Sequence, residues 1–237
     1  MTSETNERVK RLSENLAEVR GRIEEACRRS GRVAGSARLV AVTKTVDIEI
    51  ARMLLELGQN DLGENRVQEM VRKAEALKET GARWHLIGHL QTNKVKKALE
   101  ATRIIHSVDS LRLAEELNRR AGEMGITPEI LLEVNVSGEE AKSGLTAEDT
   151  AGIAEAAGRL EKVRVVGLMT MAPMAREAEE TRGVFAGLRE LAERISGMKL
   201  AGVEMRELSM GMSQDYEVAV EEGSTLVRVG SALFEGV

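Results

Sequence analysis

Over the first thirty positions, Val9, Leu12, Leu16, Val19, Ile23 and Cys27 recur at three- and four-residue steps. That spacing lines one face of a helix with apolar side chains. It predicts a helix ending near Ser30-Gly31. Gly21 inside this single run favours a helix packed on its own domain over a coiled coil.

From Arg38 onward, short β-branched or leucine-rich runs alternate with longer stretches of helical period. The runs are Leu39 to Val42, Asp61 to Gly63, Trp84 to Gly88, Ile104 to Val108, Ile130 to Val134, Val163 to Met169, Glu207 to Met210 and Leu226 to Val229. Between them lie Asp47 to Leu57, Asn65 to Leu77, Leu111 to Ala121, Ala147 to Leu160 and Arg176 to Ile195, several closing near glycines such as Gly58, Gly81, Gly158 and Gly197. Strands that are apolar on both faces and alternate with helices imply a parallel sheet covered by helices. Eight strand–helix units use up the 237 residues and predict an α/β fold, a (β/α)8 TIM barrel with an additional N-terminal helix. An open doubly wound sheet is the alternative. Its G-x-G-x-x-G signature is missing, because Thr43-Lys44-Thr45 follows the first strand. With two prolines and no low-complexity tract, residues 1–237 are expected to form one domain.

Composition narrows the function. Hydrophobic residues are 42% and charged residues 31%, an ordinary globular balance. A net charge of -5, with one Trp, one Tyr and two Phe, leaves little for a phosphate-backbone footprint or for base stacking, so nucleic acid is not an expected partner. The polar N-terminus and the lack of any long apolar stretch predict no membrane span, and the lone Cys27 suits a reducing compartment. A cytoplasmic protein is expected.

In such a barrel the active site forms at the C-terminal ends of the strands. Those ends carry Thr43-Lys44, Glu64-Asn65, His85 to Gly88, Ser107 with Asp109, Glu133 to Asn135, Met169 to Met171, Ser209 to Ser213, and Arg228 with Gly230-Ser231. Lys44 ends the most apolar strand, and a partly desolvated amine there can condense with a carbonyl. Gly211-Met212-Ser213 and Gly230-Ser231-Ala232 are small-residue turns after the last two strands, with Ser213 expected to cap a helix starting near Gln214. Small turns at this place in a barrel commonly hold phosphate. A ligand with both a phosphate and a carbonyl is implied, and pyridoxal phosphate is one. Arg228 would then face the ring nitrogen, where a guanidinium can only donate. The His85/His89 pair lacks the residues of a zinc site. His85 is expected along the ligand face, and His106 as a satisfied buried histidine.

Taken together, the motifs resemble the pyridoxal phosphate homeostasis proteins, related in fold to the barrel domain of alanine racemase. The matching pieces are 39–44 (LVAVTK), 63–69 (GENRVQE), 84–94 (WHLIGHLQTNK), Glu133-Val134-Asn135 with Lys142-Ser143-Gly144, Gly167 to Met171, Leu208 to Asp215, and Val227 to Ser231. The resemblance implies that Lys44 carries pyridoxal 5'-phosphate as a Schiff base and that Ser213, Gly230 and Ser231 hold its phosphate. It further implies that Arg228 faces the ring nitrogen and that Asn65, His85 and Met212 line the pocket. Thr43 and Thr92 stand where serine is usual, and Arg66 where an aromatic is usual.

Three functions follow. The first is storage, buffering or delivery of pyridoxal phosphate, with the apo-forms of enzymes that use it as partners and little catalysis of its own. The second is an amino-acid racemase on the same cofactor. That needs an acid/base on each face of the ring, and racemases take the second from a tyrosine of an added domain for which no length is left here. Tyr216, just inside the helix after strand seven, is expected to be structural. The third is an aldolase-like barrel whose Lys44 reacts with a sugar phosphate directly. Without the racemase's second domain, a monomer is expected.

Overall fold

The computed structural model describes residues 3–139 and 143–237; Lys142 of the matched motif lies outside them. Eight parallel strands close into a barrel in sequence order: β1 (Arg38–Val42), β2 (Asp61–Glu64), β3 (Arg83–Leu86), β4 (Ile104–Val108), β5 (Glu129–Glu133), β6 (Arg164–Met169), β7 (Val203–Ser209) and β8 (Leu226–Val229). The barrel reading therefore holds over the open sheet. β8 pairs with β1 in a register that sets Val40 against Arg228 and Ala41 against Val229.

The helices are α1 (Ser3–Arg29), α2 (Ile48–Glu56), α3 (Val67–Ala76), α4 (Val95–Ala101), α5 (Leu111–Met124), α6 (Thr150–Gly158), α7 (Arg182–Gly197) and α8 (Tyr216–Glu221). Seven of them connect successive strands. The eighth, α1, packs on α8 and covers the β8 side of the barrel. Its stripe of Leu12, Leu16, Val19, Ile23 and Cys27 is buried, as the spacing predicts. At sites like these, Leu→Ala typically costs about 2–5 kcal/mol. Asn15 on α1 donates both amide hydrogens, to Leu233 O and Glu235 O at 3.0 Å each, and so pins the segment that follows β8.

Alternation along the strands sorts the apolar side chains into two sets. Most pack between sheet and helices, and only Val40, Leu131, Val166, Met169 and Leu226 form the separate cluster inside the barrel. The rest of the interior is polar, and this departs from strands read as apolar on both faces. Buried Asp61, His85, His106, Ser209, Glu133 and Arg228 sit on the strands. Among the described residues no helix is long and apolar enough to cross a membrane.

Candidate functional site

Lys44 sits two residues past the end of β1. The ladder continues there, with the Thr43 N–H donating to Gly63 O at 2.9 Å, which brings Lys44 level with Asn65 beyond the end of β2. Lys44 and Asn65 are both exposed. Among the described residues nothing pairs with the Lys44 ammonium. Gly88, after β3, packs on the Asn65 backbone so closely that a Cβ there would lie 2.3 Å from Asn65 O. Only glycine fits that approach.

Beneath Lys44 a buried ion pair fixes the strand end. Lys73 of α3 donates to Glu64 Oε1 at 2.6 Å and to Thr43 O at 2.7 Å, and the Thr43 hydroxyl donates to the same Glu64 oxygen at 2.8 Å. Lys73 and Glu64 are both inaccessible, and Glu64 Oε2 has no hydrogen-bond partner among the described residues. The bond to Thr43 O holds the peptide that leads into Lys44. Sequence reasoning missed Lys73, although the Met70–Lys73–Leu77 spacing puts it on the buried stripe of α3.

The turns after β7 and β8 meet on the other side of Lys44. Ser213 Oγ accepts from the Gly230 N–H at 3.2 Å and the Ala232 N–H at 3.4 Å, so two backbone donors converge on one oxygen. Gly230 lies against the end of β1, where an added Cβ would come within 3.2 Å of Val42 O. Gly211, at φ +91°, turns the chain so tightly that a Cβ would fall 2.5 Å from that of Ala219.

Ser213 does not cap α8, contrary to expectation. The helix begins at Tyr216, the Asp215 and Tyr216 N–H groups donate to Met212 O, and the carboxylate of Asp215 accepts the Met212 N–H at 2.6 Å. Burial pushes the Asp215 carboxyl above its ordinary value, against the Met212 bond and the nearby Arg228. Half-buried Met212 and exposed Ser231 share this end of the barrel with Lys44, Asn65, Ser213 and Gly230.

Arg228 lies below them inside the barrel, 4% exposed. Its guanidinium donates to Ser209 Oγ at 2.5 Å and to Thr170 O at 2.9 Å. Burial pulls it down to about 10, with the charges of Asp215 and Glu133 resisting, so it stays protonated at neutral pH. Among the described residues no carboxylate touches it. Glu133, at the end of β5, is raised by burial and by Asp109, against Arg228 and His89.

His85 does not join this group. It is 1% exposed, with Nδ1 against His106 Nε2 at 2.9 Å and Nε2 against Asp61 Oδ1 at 3.0 Å. It borders a cavity of about 450 Å³ at the N-terminal end of the barrel, beside Arg38, Glu129, Arg206 and Glu207. Both ring nitrogens are engaged, which corrects the expectation that His85 lines the ligand face. His106 is a satisfied buried histidine, as anticipated.

These residues fit pyridoxal phosphate: a lysine and a buried cation that no carboxylate pairs among the described residues, with two convergent backbone N–H groups, all at one end of the barrel.

The sequence pattern of the family "Alanine racemase, N-terminal domain" matches residues 15–236. A protein of Aquifex aeolicus (strain VF5) named "Pyridoxal phosphate homeostasis protein" is 44% identical over 221 residues, covering 93% of this chain and 96% of its own. The solved structure of an unknown protein from Bifidobacterium adolescentis superposes with a TM-score of 0.91 at 39% identity, over 99% of this chain and 97% of that one. PipY of Synechococcus elongatus PCC7942, solved with PLP bound, gives a TM-score of 0.82 at 37% identity, over 94% of this chain and 99% of its own. The fold is that of an alanine racemase-type barrel. Within that class, the chain belongs to the pyridoxal phosphate homeostasis protein family.

Proposed function

We infer that this chain binds pyridoxal 5'-phosphate at the C-terminal mouth of its barrel and serves homeostasis of the cofactor by storing, buffering or delivering it. The observation that carries this is the meeting of Lys44, the Gly230 and Ala232 N–H groups, and buried Arg228 around one strand end. The relatives' names and the PLP bound in PipY support it. Pyridoxal phosphate brings an aldehyde carbon with which an amine condenses, with loss of water.

Lys44 supplies that amine. Ser213, with the Gly230, Ser231 and Ala232 backbone, receives the phosphate, while Asn65 and Met212 flank it. Arg228 can only donate, so it meets an unprotonated ring nitrogen. That keeps the ring a weak electron sink and favours holding the cofactor over turnover.

The racemase alternative needs a second acid/base at the mouth. The chain's single tyrosine, Tyr216, is buried under Arg22 of α1, which lies 5.6 Å from its ring centroid, and its hydroxyl has no partner among the described residues. The reading places the protein in the cytoplasm as a monomer whose partners are apo-enzymes that require the cofactor, with no role for nucleic acid or membrane.

The test is to titrate apo-protein with pyridoxal phosphate and then mix the loaded protein with such an apo-enzyme in the presence of a trap for free cofactor. The reading expects absorption at about 420 nm and reactivation of the enzyme. No uptake overturns it, and conversion of L- to D-amino acids at about 1 s⁻¹ or faster replaces it with the racemase.

A further inference from the structure

Inside the barrel, five side chains from five strands form one unbroken chain of hydrogen bonds. Arg228 on β8 donates to Ser209 Oγ on β7 at 2.5 Å, and that oxygen lies 2.8 Å from His106 Nδ1 on β4. His106 Nε2 meets His85 Nδ1 on β3 at 2.9 Å, and His85 Nε2 meets Asp61 Oδ1 on β2 at 3.0 Å. Asp61 is then gripped from outside by Arg83, through two bonds of 2.8 and 2.7 Å. All five are buried, Ser209 and His106 completely. The chain therefore runs from beneath the Lys44 mouth to the opposite end of the barrel.

Its two ends fix its direction. Arg228 can only donate. Burial disfavours the Asp61 anion, but the His85 and Arg83 bonds outweigh that and hold the carboxyl well below the usual carboxylate range, so Asp61 can only accept. Ser209, His106 and His85 each bring one proton and one free lone pair to the line. One arrangement puts every proton between a donor and an acceptor: Arg228 to Ser209, the Ser209 hydroxyl to His106 Nδ1, His106 Nε2–H to His85 Nδ1, and His85 Nε2–H to Asp61. Reversing the histidine link leaves the Ser209 proton without an acceptor, and it either turns a His85 lone pair toward the Asp61 carboxylate or adds a third buried charge. Either is costly in a low-dielectric interior.

We propose that His85, His106 and Asp61 are positioning residues for Arg228: they turn the Ser209 hydroxyl so that its lone pair meets the guanidinium, and they couple that guanidinium at the Lys44 mouth to a carboxylate at the far end of the barrel. The proposal rests on reading that mouth as the cofactor site. None of the three touches the cofactor; they act through Ser209. Arg228 is then held by two neutral oxygens, Ser209 Oγ and Thr170 O, and its other N–H groups are left for the ring nitrogen.

Two measurements test it. Long-range ¹H–¹⁵N NMR of the apo-protein at neutral pH reads both tautomers, and His85 and His106 are each expected as the neutral Nε2–H form. The second is the absorption and affinity of bound pyridoxal phosphate in Asp61→Asn, which removes the anchoring charge with little change of shape. Loss of an outer partner suggests about tenfold weaker binding together with a shifted spectrum, by analogy with the outer partners of metal ligands. Glu207→Gln, at the same end of the barrel but outside the chain, is expected to leave the spectrum as in the wild type.

An Nδ1–H tautomer at either histidine overturns the proposal, and so does a folded Asp61→Asn protein with wild-type spectrum and affinity. The tautomers need no variant and decide the matter even if Asp61→Asn does not fold. If the wild type takes up no cofactor, the functional reading falls while the tautomers still judge the chain.

Discussion

Ser213 Oγ accepts the Gly230 N–H at 3.2 Å, tying the turn after β7 to the turn after β8 at the point where a phosphate would be received. Before a ligand arrives, the hydroxyl occupies the backbone donors that the phosphate would take over. A phosphate received there, as proposed, would find the two turns already joined, which lowers the ordering cost of binding.

Ser213→Ala removes a donor to the phosphate and the acceptor that pre-forms the turn. A charge-assisted hydrogen bond of about 1.5–3 kcal/mol corresponds to a loss of roughly tenfold or more in pyridoxal phosphate affinity. Pyridoxal, which has no phosphate, should bind the variant and the wild type alike. Parallel titrations with the two ligands check this, and an equal loss for both would place Ser213 elsewhere.

The Lys73–Glu64 pair gives a second expectation. Removing only the cation in Lys73→Met leaves the Glu64 carboxylate buried and unpaired, and should destabilise the protein by about 3–5 kcal/mol. The double variant Lys73→Met/Glu64→Leu removes the uncompensated charge and should recover much of that loss. Urea denaturation of the single and double variants reads the difference. The single variant should also weaken cofactor uptake, because Lys73 holds the carbonyl of Thr43 next to Lys44.

The buried histidine gives the stability a pH dependence of definite sign. Burial first, then the neighbouring His85, Arg228 and Arg38, hold His106 well below the ordinary histidine value. Between that lowered value and about 6.5 the unfolded chain binds a proton that the folded chain refuses. The stability contribution is present above pH 6.5 and is lost as the pH falls below it, at about 1.4 kcal/mol per pH unit. Urea midpoints between pH 7 and pH 5 check the slope, which His106→Gln should reduce by one proton.

What the sequence disclosed follows from where the physics is local. β-Branched runs and helical spacing fixed the barrel and placed Lys44, Asn65, Ser213 and Gly230 at strand ends, because strand ends need only periodicity. α4 gave no clear signal: Val95–Ala101 is seven residues with adjacent lysines. The first half of β7 alternates between exposed and half-buried positions, so it did not read as an apolar run.

His85 is expected along the ligand face, but a side chain that points into a barrel can lie near either end of it. Asp61 and His106 decide which, and both are distant in sequence. Ser213 looks like a helix cap because its neighbours suit one, yet the Asp215 and Tyr216 N–H groups that a cap would accept donate to Met212 O, which leaves the hydroxyl for Gly230. Lys73 illustrates the same limit, since a helix lysine is solvated unless a buried acid faces it.

The central claim is that Lys44 is the covalent anchor of the cofactor. Reduction of the loaded protein with borohydride, followed by digestion and mass spectrometry, tests it most directly. The pyridoxyl phosphate adduct is expected on Lys44, and its loss, together with that of the absorption at about 420 nm, in Lys44→Ala. An adduct on a different lysine, or an unchanged spectrum in Lys44→Ala, would contradict it.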